Sequence, residues 1–131
     1  DYVGFDIQHG YLDDADVALL LRRLEPLPVG TAVRLPAADP APIGRVLDAG
    51  ADAVIGTGPP FLYDAIILDG AAIAPSLGNL VFHTARGDKY DRLGHPVWKG
   101  GILVFDGERW SLRPANVPRP ACHAARETLD R

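Results

Sequence analysis

Three side chains in the first fifty positions have the chemistry of a proton-transfer site acting on a carboxylate-bearing substrate: His9, Arg34 and Asp48. An imidazole changes charge near neutral pH, so it can take a proton and return it. A guanidinium is a permanent cation whose planar fork suits a carboxylate. A carboxylate beside the imidazole would hold it and make it more basic, and both Asp48 and Asp6 are candidates for that role. A base, a carboxylate clamp and an orienting acid are what proton abstraction next to a 2-oxo acid carbonyl requires. Each type also has an ordinary use. A histidine after a strand is commonly a loop residue, an arginine commonly pairs with a surface acid, and an aspartate before Ala-Gly commonly ends a helix.

These residues need elements to position them. Residues 2–7 are short, apolar and rich in strand formers. Asp13 or Asp14 offers an N-cap, and Val17, Leu20, Leu21 and Leu24 follow helical spacing, with Arg22 and Arg23 at the end where cations suit the dipole. Pro26 and Pro28 stop that helix. Residues 31–35 read as a second strand. Asp39 caps a second helix that Pro40 and Pro42 open and Gly50 closes, with Ile43, Val46 and Leu47 as its apolar stripe. Residues 52–55 read as a third strand. Strand–helix–strand–helix–strand with short connections predicts a parallel sheet with right-handed crossovers. Ligands of such sheets bind beyond the carboxyl ends of the strands, where His9, Arg34 and the loop at Gly56 are expected.

The later sequence is less regular. Residues 65–68 and 80–82 look like strands, and residues 121–129 like a terminal helix. Residues 102–105 and 108–112 around Asp106-Gly107 predict a hairpin with a type I′ turn. The Gly56-Thr57-Gly58-Pro59-Pro60 stretch is a strong breaker. Residues 1–58 hold nine acids and four bases, while residues 59–131 hold eight and nine, so the chain is divided there, the breaker being either a domain boundary or one long loop. The expected fold class is α/β: a partial (β/α) barrel-like parallel sheet in residues 1–58, then an α+β segment, 59–131, packed on the first.

The ordered set Asp6-Ile7-Gln8-His9-Gly10, then Val33-Arg34-Leu35-Pro36 with Asp39-Pro40, then residues 45–55 (R-V-L-D-A-G-A-D-A-V-I) resembles the HpcH/HpaI family. These are metal-dependent class II aldolases acting on pyruvate and its aldol adducts. The resemblance covers residues 1–55 and implies a (β/α)₈ barrel enzyme that cleaves 4-hydroxy-2-oxo acids to pyruvate and an aldehyde. It implies that His9 is the base, that Arg34 steadies the pyruvate enolate, and that Asp48 raises the basicity of His9, with Asp6 at a motif position close by. It also implies a divalent cation (Mg²⁺ or Mn²⁺) and a homo-oligomer. Neither of the family's metal-ligand motifs follows Ile55, and Gly56-Thr57-Gly58-Pro59-Pro60 replaces its usual sequence there. Asp69, after the apolar run 66–68, is a candidate oxygen ligand, and a turn residue in Asp69-Gly70 is the competing reading.

The chain's 131 residues hold three or four of the units of a barrel that takes about 250 residues when complete. Seventeen acids against thirteen Lys and Arg give a charge of -4, which excludes bulk attraction to nucleic acid. No apolar run approaches the roughly 20 residues of a membrane helix, and the single cysteine, Cys122, fits a cytoplasmic protein without disulfides. His83, His95 and His123 lack ligand spacing for zinc. Trp98 and Trp110, near Lys99 and Arg109, read as packing residues. Two functions follow as expectations: a carbon–carbon lyase acting on a small 2-oxo acid, or a non-catalytic truncated barrel module that works by self-association or partner binding.

Overall fold

A computed structural model describes residues 1–79 and 87–117. The strand expected at 80–82, the helix at 121–129, and His83, Cys122 and His123 lie outside the described residues. The first half alternates as expected: β1 (Tyr2–Asp6), α1 (Asp14–Leu24), β2 (Gly30–Leu35), α2 (Pro40–Asp48) and β3 (Ala53–Gly56). After these come β4 (Ile66–Leu68), β5 (Ala71–Ala74), α3 (Gly87–Arg92), β6 (Lys99–Phe105) and β7 (Trp110–Asn116).

Asp13 settles the start of α1. Its carboxylate accepts the Asp16 amide at 2.9 Å, and the Asp16 carboxylate accepts the Asp13 amide at 3.2 Å, a reciprocal capping box. Asp39 occupies the N-cap position of α2 but makes no side-chain cap. The third residue of that helix is Pro42, which has no N–H to donate, so the usual capping partner does not exist.

β1, β2 and β3 pair in parallel, with Asp6 opposite Arg34 and Arg34 opposite Ile55. The helices cover one face. There Val17 and Leu21 of α1 and Val46 of α2 bury against Val33, Leu35 and Val54, with Phe5 and Ile7 packed at the margin. A side chain of this size contributes roughly 1.5–3 kcal/mol when fully buried, so this cluster fixes the register of the strands. Arg45 bonds to Asp14 and ties α2 to α1. On the opposite face the register lines up Gly4 of β1, Ala32 of β2, Ala53 of β3 and Ala72 of β5. Tyr2, on that face, meets the rings of Phe105 and Trp110 edge-on at 6.4 and 6.1 Å, so the end of the β6–β7 hairpin lies beside the start of β1.

The strand pairing crosses the boundary drawn at residue 58. β5 pairs in parallel with β3, and β4 pairs antiparallel with β5, giving a five-stranded sheet in the order β1-β2-β3-β5-β4. The Gly-Pro stretch is therefore a loop inside one sheet and not a gap between sheets. β5 has no strand signal beyond Ile73, because three of its four residues are alanines. Their small size suits an interior strand: Ala72 and Ala74 are fully buried. Among the described residues the sheet is open, with β1 and β4 at its edges.

Both Asp-Gly pairs sit in hairpin turns, of two kinds. Asp69 and Gly70 have φ of +49° and +89°, the two positive values of a type I′ turn, and they join Leu68 to Ala71. In the β6–β7 hairpin Gly107 alone is left-handed, at +102°, and the Asp106 amide donates to the Arg109 carbonyl at 3.2 Å. The central pair there is Gly107-Glu108, the II′ pattern, one residue later than expected. The Asp106 carboxylate accepts the Glu108 and Arg109 amides at 3.0 and 2.9 Å, and this shifts the turn.

Candidate functional site

Parallel register places the last residues of β1, β2 and β3 side by side. Arg34 projects from the carboxyl end of the middle strand and gathers its neighbours. Its Nη1 lies 3.3 Å from Asp6 Oδ2, its Nη2 donates to Gln8 Oε1, and its Nε donates to Thr57 Oγ1 at 3.4 Å. Thr57 in turn donates to the Leu35 carbonyl at 2.6 Å. Asp6 also accepts the Gln8 amide at 2.9 Å, which folds the chain sharply after β1. Gly10 completes that turn, since a Cβ there would collide with the Asp6 carbonyl oxygen. His9 lies within this turn, exposed, at the same edge of the sheet as Arg34.

The side chains of Arg34 and Asp6 are 40% and 43% exposed, so water reaches their ion pair. Such a pair is worth about 0–1 kcal/mol, and an incoming carboxylate can compete for the guanidinium. The edge therefore offers a reachable cation with a fixed direction, two neutral hydrogen-bonding side chains and a nearby imidazole.

Gln8 and Thr57 were not singled out in the sequence. Gln8 stood inside a quoted motif, and Thr57 stood inside the breaker. The signal that finds both is register: whatever follows β1 and β3 by one or two residues falls beside the end of β2.

Asp48 does not join them. α2 leaves the carboxyl end of β2 and returns to the start of β3, so its last residue lies at the amino ends of the strands. There it lines a cavity of ≈ 520 Å³ with Leu47, Asp52, Leu68 and Asp69. The length of β3 separates the two ends, roughly 13 Å for four residues at about 3.3 Å each. The expectation that Asp48 orients His9 is therefore corrected, and Asp6 is the carboxylate at the arginine edge. Asp69 is corrected likewise. β4 runs antiparallel, which carries its following turn to the amino-end side, away from Arg34.

The metal expected from the resemblance needs several oxygen or nitrogen ligands converging on one point. The described residues do not fit it. Asp6 is turned onto Arg34 and the Gln8 amide, Asp69 is at the far end, and no group of three or more His, Cys, Asp or Glu among the described residues is placed to hold an ion.

Asp52 has a structural task at the amino end. Its carboxylate accepts the buried Thr31 amide at 2.7 Å and the Thr31 hydroxyl at 2.9 Å, joining the starts of β2 and β3. Burial, and after it the charge of Asp52, pushes the Tyr2 phenol above its usual range. The exposed His95 ring lies 5.1 Å from that of Phe61, tilted by 34°. Among the described residues no helix is long and apolar enough to cross a membrane. No known family's model matches the chain, and no curated protein does.

Proposed function

We propose that this chain is a carbon–carbon lyase of small 2-oxo acids, resembling the 4-hydroxy-2-oxo acid aldolases, with its working edge at the carboxyl ends of β1, β2 and β3. The observation that carries this reading is Arg34, held by Asp6, Gln8 and Thr57 at the edge where His9 also lies. Arg34 takes the substrate carboxylate. His9 accepts the proton of the 4-hydroxyl, the bond between C3 and C4 breaks as the aldehyde carbonyl forms, and the electron pair passes to the pyruvate fragment as its enolate. Protonation at C3 then gives pyruvate. No step is assigned to a metal.

The same reading takes β1-α1-β2-α2-β3 as the opening units of a (β/α) barrel in a cytoplasmic homo-oligomer. The test is pyruvate release from a 4-hydroxy-2-oxo acid, measured with and without Mn²⁺. Wild type should release pyruvate, and His9→Ala should lose about 10²-fold or more of the rate. Equal rates for the two proteins would reject catalysis.

The alternative is a non-catalytic module acting by self-association or partner binding. It is favoured by the Asp6 and Gln8 side chains, which already occupy the fork of Arg34. A chain that neither binds oxalate nor releases pyruvate would support it.

A further inference from the structure

β4 is the outer strand of the sheet, and its three residues, Ile66, Ile67 and Leu68, are 56%, 53% and 50% exposed. Three consecutive apolar side chains are thus open on both faces of an edge strand. The backbone there is also open. The two-residue turn makes Leu68 and Ala71 a hydrogen-bonded pair, so the next pair, Ile67 and Ala72, is a non-bonded one. The Ala72 amide confirms this by donating inward, to the Asp52 carbonyl on the β3 side, at 2.9 Å. The N–H and C=O of Ile67 consequently point away from the sheet, and no described strand pairs with them. Edge strands of soluble proteins are usually guarded by shortness, an inward charge, a lysine, a proline or a bulge, and β4 has only the first, at three residues.

The surroundings decide what covers it. Residues 46–79 carry four acids, Asp48, Asp52, Asp64 and Asp69, and no Lys, Arg or His, and Arg45 just before them is bonded to Asp14 of α1. Three of the four line the ≈ 520 Å³ cavity that opens beside Leu68 at the end of the strand. The Asp52 carboxylate is bonded to the Thr31 amide and hydroxyl, and Asp48 and Asp69 add their charges to the same wall, so the cavity favours a cationic side chain. A second copy would bring its own acids against these and be repelled. We infer that β4 receives an extended, apolar segment of a partner protein flanked by Lys or Arg, which adds to the sheet as a sixth strand and places a basic side chain in the acidic cavity. This surface is at the opposite end of the sheet from Arg34, and the inference stands apart from the lyase reading.

The test uses the full chain and a fluorescent peptide, acetyl-Lys-Val-Thr-Val-Thr-Val-Lys-amide, followed by anisotropy. Lysine at both ends lets either strand direction bring an ammonium to the cavity. Wild type should bind it, and a peptide with Glu for both Lys should bind about tenfold more weakly or worse. Ile67→Pro removes the outward N–H without touching the pairing with β5, and proline is tolerated at an edge, so this variant should fold and lose about tenfold or more in affinity. Should Ile67→Pro fail to fold, a peptide N-methylated on alternate amides replaces it and should fail to bind wild type. Equal binding of the lysine and glutamate peptides, full binding by folded Ile67→Pro, or full binding of the N-methylated peptide would overturn the proposal. So would a chain that binds no peptide and dimerises through this edge in sedimentation.

Discussion

Arg34 and Asp6 are register partners on adjacent parallel strands, and their side chains meet 3.3 Å apart at the carboxyl edge of the sheet. Their meeting is a consequence of strand pairing and not of sequence proximity. Parallel strands in register bring the ends of β1 and β2 together, and alternation points both side chains to the face away from the helices. Thr57 arrives by the same logic from β3, and Gln8 through the turn after β1. Arg34 is thus aimed before any ligand arrives, which lowers the ordering cost of binding a carboxylate.

Replacing Arg34 should therefore act on ligand and not on fold. Arg34→Lys keeps the charge but loses the fork that meets Gln8, Asp6 and Thr57 together. We expect its melting temperature to stay close to wild type, with a free-energy change within about 0.5 kcal/mol, while oxalate affinity falls about tenfold. Calorimetric titration beside thermal unfolding checks both.

Asp48 and Asp52 make a contrasting pair. Asp48→Ala should leave pyruvate release within about twofold of wild type, because the residue is at the far end of the sheet. Asp52→Ala strips the acceptor from the buried Thr31 amide, while the Thr31 hydroxyl keeps the Gly50 carbonyl at 3.3 Å. An unsatisfied buried donor costs about 1–3 kcal/mol, and urea unfolding should show a loss of that size. A loss near zero would mean that water replaces the carboxylate.

The sequence and the structure agree most closely where the apolar pattern is strong and local. Val17, Leu20, Leu21 and Leu24 mark α1, and Asp13 marks its start, because helix spacing and capping are read from neighbours in the chain. β5 was missed, since Ala71, Ala72 and Ala74 have little strand preference of their own; tertiary burial between β3 and β4 selects them for size. Asp48 was misplaced for a related reason. Its motif is contiguous with β3 in sequence, yet a crossover helix reverses direction, so residues eight apart in the chain, such as Asp48 and Gly56, reach opposite ends of the sheet. Asp6 ends β1, Arg34 is next to last in β2 and His9 stands three residues past β1, so the strand pattern alone puts all three at one edge of the sheet.

The turns provide a backbone test. Asp69 and Gly70 both adopt positive φ, and a side chain at the second position is strained. Gly70→Ala should destabilise the chain by about 1 kcal/mol or more, against a gain of about 0.4–1 kcal/mol where alanine fits. Thermal unfolding against wild type reads the sign directly.

Asp106 gives a pH dependence. The Arg109 amide, then the Glu108 amide, hold its carboxyl below the ordinary 3.8. The folded hairpin favours the ionised form. Its contribution is complete above the unfolded value and is lost as pH falls through the depressed folded one. The amide resonances of Glu108 and Arg109 should titrate with a midpoint under 3.8, and Asp106→Asn should remove the transition. A midpoint at or above 3.8 would show that the turn does not favour the carboxylate.

Oxalate, which has the planar oxygen pattern of the pyruvate enolate, probes the proposed edge most directly through the side-chain nitrogen resonances of Arg34 and Gln8. Addition of oxalate is predicted to shift Arg34 Nε and Gln8 Nε2 together, saturably, as the anion displaces Asp6, with Arg34→Lys abolishing the Gln8 shift. Resonances at Arg34 and Gln8 that stay fixed while oxalate is raised to millimolar levels would contradict a carboxylate-binding role for this edge.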